Sequence, residues 1–80
     1  MRMKEATVKR FQRLCQERGI KYNELATLSG VTPSTVYSMM NERRKDLSVV
    51  TVKKLCDGLG ISVSVFFNDP IFEALEQEIE

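Results

Sequence analysis

The side chains of this sequence that could do chemistry are mostly hydroxyls and cations. Four hydroxyl residues fall at helical spacing within one short stretch, namely Ser34, Thr35, Tyr37 and Ser38. The basic run Arg43-Arg44-Lys45 follows closely. Hydroxyls donate and accept hydrogen bonds, whereas guanidinium and ammonium groups bind anions. This combination favours recognition of a polar, anionic partner over covalent chemistry.

The groups that catalysis and metal binding need are scarce. The 80 residues include no histidine, and Cys15 and Cys56 lack the spacing of metal ligands. Each cysteine lies in a segment of apolar periodicity, where a buried free thiol is the common state, so we expect a reducing, cytoplasmic setting. No nucleophile with a matching base is visible, and we expect neither an enzyme nor a cofactor. No apolar run approaches the roughly 20 residues of a membrane span, so no membrane partner is expected.

The net charge of +1 conceals an uneven distribution along the chain. Residues 1–54 contain all 12 lysines and arginines and five acidic residues, whereas residues 55–80 contain six acidic residues and no basic one. A basic segment of this kind is typical of a surface that binds a polyanion, and the acidic end would be repelled from the same polyanion. Two ordinary solvated surfaces would give the same composition, so charge alone leaves both interpretations open.

Apolar periodicity predicts an all-α fold, a compact bundle of about five short helices. The first four helices are expected over residues 4–18, 22–28, 33–41 and 49–59, and Ser48 can cap the fourth. The stretch Ile61–Phe67 alternates like a strand, but the chain offers no second strand to pair with it. Because an isolated strand would leave its backbone hydrogen bonds without partners, we predict a short helix there, capped by Ser62.

The end of the chain carries a separate apolar pattern. Past the break at Pro70, apolar residues recur at steps of four, at Ile71, Leu75 and Ile79, and predict an extra C-terminal amphipathic helix. The residues around this stripe are acidic. We therefore divide the chain into a main domain over residues 1–68 and an acidic helical extension over residues 69–80.

The strongest helix start in the sequence opens the hydroxyl-bearing helix. Thr32 can cap this helix through its hydroxyl, and Pro33 falls at the first helical position, where a missing N–H is no loss. Gly30 turns the chain between this helix and the preceding one, and Ala26 is small enough for a close crossing. Two helices joined by such a turn outline a helix-turn-helix, although an αα-corner that binds nothing has the same outline.

The stretch NELATLSGVTPSTVYSMMN resembles the helix-turn-helix of transcription regulators of the phage repressor and Cro type. Ala26, Gly30, Val31 and Val36 fall where that family keeps a small residue, a glycine, an apolar residue and a β-branched residue. The resemblance runs from about Phe11 to Phe67. It implies a lambda-repressor-like domain that binds double-stranded DNA and acts as a small transcriptional regulator, a repressor.

The resemblance gives roles to two sets of residues. In that family the third helix faces base edges in the major groove, while helix ends and the following loop hold phosphates. The base-facing set is Pro33, Ser34, Tyr37 and Ser38. The phosphate-contacting set is Tyr22, Thr32, Asn41, Arg43, Arg44 and Lys45. The base-facing set lacks the bidentate fork of Arg, Asn or Gln, so modest or water-assisted sequence discrimination is expected.

One helix-turn-helix covers only a few base pairs, so we expect a homodimer on two half-sites. The candidate dimer surface is the apolar end of the chain, which comprises Val65, Phe66, Phe67, Ile71, Phe72, Leu75 and Ile79. The alternative is that this stripe packs back on its own domain. A rival function is a protein-interaction module, such as the antitoxin of a toxin–antitoxin pair, whose acidic C-terminal segment binds a protein partner.

Two positions depart from the family pattern together. Where the family often pairs an arginine late in the first helix with a glutamate late in the third, this chain has Cys15 and Met40. Apolar groups can replace a partly buried ion pair without loss of stability, whereas changing one partner alone leaves an unpaired charge. We therefore predict that these two side chains meet in the core. A third departure is Lys21, which precedes the second helix and cannot cap it.

Overall fold

The computed structural model describes residues 2–41, 43–44 and 47–75. In this part of the chain the α-helices are α1 (Met3–Arg18), α2 (Tyr22–Ser29), α3 (Pro33–Met40), α4 (Val49–Leu59) and α5 (Val63–Phe67). A 3-10 helix over Pro70–Ala74 follows them. The predicted all-α fold is confirmed, and the described residues form no strand.

Three helices begin at the hydroxyl caps that the sequence predicts. The side chains of Thr32, Ser48 and Ser62 accept hydrogen bonds from backbone N–H groups at the starts of α3, α4 and α5. The Ser62 cap helps to explain why Ile61–Phe67 becomes helical despite its alternating pattern, because it satisfies an N–H group that helix formation leaves open. Lys21 makes no side-chain cap bond at the start of α2, as expected.

One hydrophobic core receives side chains from all five helices. Cys15 and Met40 both belong to it, with 4% and 7% of their surfaces exposed, so neither side chain faces water. That the two side chains meet there stays a prediction. Cys15 and Cys56 are buried free thiols, as predicted. Burial raises the pKa of both thiols, which keeps them protonated and unreactive.

Helices α2 and α4 cross closely where Gly58 faces Ser29. A Cβ atom placed on Gly58 would lie 2.9 Å from both the Cα and the backbone nitrogen of Ser29, and closer still to its hydroxyl oxygen. Packed side chains do not approach backbone atoms that closely. Only glycine therefore fits this crossing, which fixes α2 and the turn that follows it relative to α4.

The C-terminal segment differs from the predicted amphipathic helix. Beyond Pro70 the described residues form a short 3-10 helix that ends at Ala74, and Leu75 has an extended backbone. In the described part of the predicted helix over residues 69–80, a 3-10 helix thus takes the place of an α-helix, and Ile79 lies outside the described residues. The described part is short, and aromatic contacts hold it against the core.

Aromatic contacts occupy part of the proposed dimer surface. Phe66 is fully buried in the core, and Phe67 and Phe72 pack against that core with their ring centroids 4.9 Å apart. For these three residues the structure shows the alternative that the sequence left open, in which the stripe packs on its own domain. Of the proposed surface, Val65 stays largely exposed, at 53%.

Arg10 is a buried cation, although the periodicity of α1 places it among the polar residues. Its guanidinium donates hydrogen bonds to the carbonyl oxygens of Phe66 and Val65, at 2.9 and 3.2 Å, and lies over the Phe66 ring. These carbonyls belong to the last turn of α5, where a helix has unpaired acceptors and favours positive charge. Arg10 therefore joins α5 to α1.

Asp69 joins the C-terminal segment to α1. Its Oδ1 accepts a hydrogen bond of 3.0 Å from the backbone N–H of Ile71, and its Oδ2 lies 2.6 Å from a guanidinium nitrogen of Arg13. Arg10 is 3.7 Å from the same Oδ2. The N–H of Ile71, and after it the Arg13 guanidinium, lower the pKa of Asp69.

This lowered pKa predicts a specific acid sensitivity. A carboxylate whose pKa is lower in the folded chain adds stability above its unfolded pKa, near about 4, and that stability is lost as the pH falls through the folded value. We expect Asp69→Asn to flatten the fall in the free energy of unfolding between about pH 5 and pH 3. Urea titrations across that range provide the measurement.

Asp57→Asn is the control for this experiment, because Asp57 pairs with Lys53 on the exposed surface of α4. Exposed pairs of this kind contribute little, so this variant should keep the pH profile of the unmodified protein. Equal profiles for Asp69→Asn and the unmodified protein would contradict the proposed role of Asp69.

Candidate nucleic-acid interface

The turn between α2 and α3 is built from a left-handed glycine and a small buried residue. Gly30 has a φ of 70°, and the N–H of Val31 donates to the carbonyl of Ala26 at 3.1 Å, which closes the end of α2. Ala26 and Val36 are fully buried between the two helices. This packing fixes the rotation of α3 and therefore decides which of its residues face outward.

The outward face of α3 carries the residues that the resemblance places against bases. Pro33 and Ser34 are exposed in the first turn, Tyr37 is 53% exposed, and Ser38 is half-buried. All four are thus reachable from one side of α3. Their contact with bases stays a prediction.

Thr32 forms a hydroxyl network at the start of α3. Its Oγ1 accepts from the backbone N–H of Thr35 at 3.3 Å and lies 3.0 Å from Ser34 Oγ and 2.9 Å from Thr35 Oγ1. These contacts tie the Thr32 hydroxyl to the first turn of α3. The Thr32 hydroxyl therefore acts as a helix cap. A phosphate contact from Thr32 would have to share a hydroxyl that already takes part in hydrogen bonds.

An open groove of about 570 Å³ runs beside α3. Its lining combines hydroxyls and cations from α1, α3, the following loop and the start of α4: Lys4, Ser34, Thr35, Ser38, Met39, Arg44, Ser48 and Thr51. The N-terminus of α4 adds the positive end of a helix dipole to this groove. The groove is therefore suited to an anionic, hydrogen-bonding partner.

The sequence did not predict three contributors to this groove. Ser48 was predicted as a cap, but its place beside α3 depends on the path of the loop between α3 and α4. Lys4 and Thr51 come from other helices, and neither lies near the helix-turn-helix along the chain. The only sequence signal for Lys4 is its membership of the basic segment 1–54.

The predicted phosphate-contacting residues that the structure describes lie around the outer face of α3 and differ in exposure and in existing contacts. Arg43 and Arg44 are exposed after α3, whereas Lys45 lies outside the described residues. Asn41 is exposed, and its Oδ1 accepts the N–H of Arg43 at 3.0 Å, which leaves its amide donors for another partner. Tyr22 is half-buried, and its ring meets that of Tyr37 at a centroid distance of 5.5 Å.

Among the described residues, no group of three or more His, Cys, Asp or Glu is placed to hold a metal ion. In the same residues no helix has both the length and the apolar character needed to cross a bilayer.

The buried crossing of α2 and α3, the glycine turn between them and the polar outer face of α3 together define a helix-turn-helix DNA-binding domain. Residues 10–67 match the family model of the Cro/C1-type helix-turn-helix DNA-binding domain, and the chain belongs to that family. The resemblance that the sequence showed is thereby confirmed, together with DNA binding and a regulatory role.

A solved structure is similar over nearly the whole chain. The crystal structure of prophage Lp1 protein 11 shares 35% sequence identity with this chain, with a TM-score of 0.77. The match covers 88% of this chain and 93% of that one. No curated protein sequence is significantly similar to this chain.

Proposed function

We propose that this protein is a sequence-specific repressor that binds double-stranded DNA through α3 as a homodimer. The observation that carries the proposal is the outer face of α3, whose hydroxyls border a groove containing Lys4 and Arg44. Base edges need hydrogen-bonding groups at the centre of an interface, and phosphates need cations and helix N-termini around it. This surface has both kinds of group.

The base contacts would come from α3. Ser34 and Ser38 can donate to or accept from either kind of base pair, and the Tyr37 ring can pack on a thymine methyl group. Because a hydroxyl does not form the two parallel bonds of an Arg or Asn side chain, each contact discriminates weakly. Specificity would then be the sum of several modest contacts over two half-sites, which supports a homodimer.

The phosphate contacts would come from the surroundings of α3. Arg43, Arg44 and Lys45 follow α3, and the N-terminus of α4 lies in the same groove as Arg44. Cations and helix N-termini fix the protein on the duplex without reading sequence. A protein bound in this way would repress transcription by occupying its operator.

This mode of binding predicts a steep salt dependence. Three cations from each protomer of a dimer would neutralise about six phosphates, which gives a slope of about −5 for log Kobs against log salt. Affinity should then fall by about 10³ between 50 and 200 mM salt. A binding selection from random duplexes at two salt concentrations, followed by titration of the enriched site, measures both the sequence preference and the slope.

Arg44→Ala should make this slope shallower by about one unit for each copy of the protein that is bound. Lys9→Ala is the matched control, because Lys9 pairs with Glu5 on α1 and does not line the groove. An inverted repeat in the enriched site would support the dimer. A slope near zero, or no enriched sequence, would contradict the proposed function.

A further inference from the structure

Tyr22 and Tyr37 form an aromatic pair between the start of α2 and the outer face of α3. Their ring centroids are 5.5 Å apart and the ring planes meet at 75°, which is an edge-to-face contact. This geometry is the favoured one for aromatic rings, because the positive edge of one ring meets the negative face of the other. The pair therefore constrains both side chains.

The two partners differ in how firmly the domain holds them. Tyr22 is half-buried and packs against the hydrophobic core, whereas Tyr37 is 53% exposed. Tyr22 is accordingly the anchored member of the pair, and Tyr37 is the member presented to a partner. The anchored ring limits the rotamers that Tyr37 can adopt before anything binds.

We propose that Tyr22 is a positioning residue for sequence recognition, and that it acts by holding Tyr37 rather than by binding a phosphate through its own hydroxyl. This inference rests on the proposed function, in which Tyr37 faces a base pair. A ring that is already fixed loses less conformational freedom on binding and meets one base-pair geometry better than the others. The first residue of α2 would then influence which base pair is preferred, without touching it.

Removing the ring and the hydroxyl of Tyr22 one at a time distinguishes its two possible roles, which are to hold Tyr37 and to contact a phosphate. Tyr22→Phe keeps the ring and should leave both the affinity and the base preference unchanged. Tyr22→Leu removes the ring and should reduce discrimination by about 2- to 12-fold, the range that aromatic pairs give in double-mutant cycles. The reduction should be confined to the base pairs at which Tyr37→Leu also loses discrimination.

The experiment measures the affinity of each variant for the selected site and for single base-pair replacements of it. The double variant Tyr22→Leu/Tyr37→Leu should discriminate no worse than Tyr37→Leu alone, because a positioning residue has nothing left to position. Melting temperatures show whether each variant is folded. If Tyr22→Leu melts below the assay temperature, Tyr22→Met replaces it, since methionine retains apolar volume without a ring.

Three results would overturn the inference while leaving the proposed function intact. The first is a uniform loss of affinity in Tyr22→Phe, which indicates a phosphate contact by the hydroxyl. The second is a loss in Tyr22→Leu that is equal for all sequences, and the third is additivity in the double variant. Absence of any sequence preference in the unmodified protein would instead contradict the proposed function itself.

Discussion

The Ser34→Glu variant is expected to bind the selected DNA site about 100-fold more weakly than the unmodified protein, a loss of about 3 kcal/mol. Ser34 is exposed in the first turn of α3 and lines the groove that also contains Lys4 and Arg44. A carboxylate there would repel phosphates and partly neutralise the neighbouring cations. The change is therefore placed where the proposed interface is most sensitive to negative charge.

The same substitution should not destabilise the protein. The first turn of α3 contains no acidic residue, and a carboxylate near a helix N-terminus is favourable by about 0.3–1 kcal/mol. The Thr32 cap does not depend on Ser34, because Thr32 Oγ1 accepts from the backbone N–H of Thr35. The melting temperature should consequently stay the same or rise slightly while binding is lost.

Ser64→Glu provides a closely matched control. Ser64 is exposed and is the second residue of α5, just as Ser34 is the second residue of α3, and both helices begin at a hydroxyl cap. Both variants therefore add one negative charge at the same position relative to a helix start, but Ser64 does not line the groove. Equal loss of binding in the two variants would show that net charge matters and that the location on α3 does not.

The local part of this interface could be predicted from the sequence. The cap at Thr32, the turn at Gly30 and the polar outer face of α3 depend on neighbouring residues, and each appears as a short pattern. The groove could not be predicted in the same way, because Lys4 and Thr51 reach it from α1 and α4. Contacts between distant segments depend on how the helices pack, and apolar periodicity does not specify that packing.

The C-terminal segment is a further example, in which a local pattern predicted an element that packing replaces. Its steps of four predicted a helix, yet Asp69, Pro70 and the packing of Phe72 against the core produce a short 3-10 helix instead. Arg10 is a charged residue of α1, yet it is buried where it meets the carbonyls of α5. In both cases a tertiary partner outweighs the local pattern, since burial and hydrogen bonding contribute more than helix propensity does.

For Gly58→Ala, helix propensity and packing predict opposite effects on the free energy of unfolding. Within a helix, alanine is more favourable than glycine by about 1 kcal/mol, so propensity alone predicts stabilisation. The structure predicts the reverse, because the new Cβ would lie 2.9 Å from two backbone atoms of Ser29. Backbone atoms cannot move aside without separating α2 from α4, and overpacking of this kind costs about 1–3 kcal/mol or more.

We expect Gly58→Ala to lower the net free energy of unfolding by about 2 kcal/mol, which corresponds to a fall in melting temperature of about 10 °C for a domain of this size. Ser29→Ala separates the contribution of the Ser29 side chain to this clash from that of the Ser29 backbone. The Ser29 hydroxyl is buried and has no hydrogen-bond partner among the described residues, so its removal alone should be neutral or slightly stabilising.

The double variant Ser29→Ala/Gly58→Ala should recover only part of the lost stability. Removing the Ser29 hydroxyl relieves the contact with the side chain, but the backbone nitrogen and Cα of Ser29 stay in place. Thermal unfolding of the two single variants and the double variant measures this coupling directly. A melting temperature for Gly58→Ala at or above that of the unmodified protein would show that helix propensity outweighs the close crossing of α2 and α4.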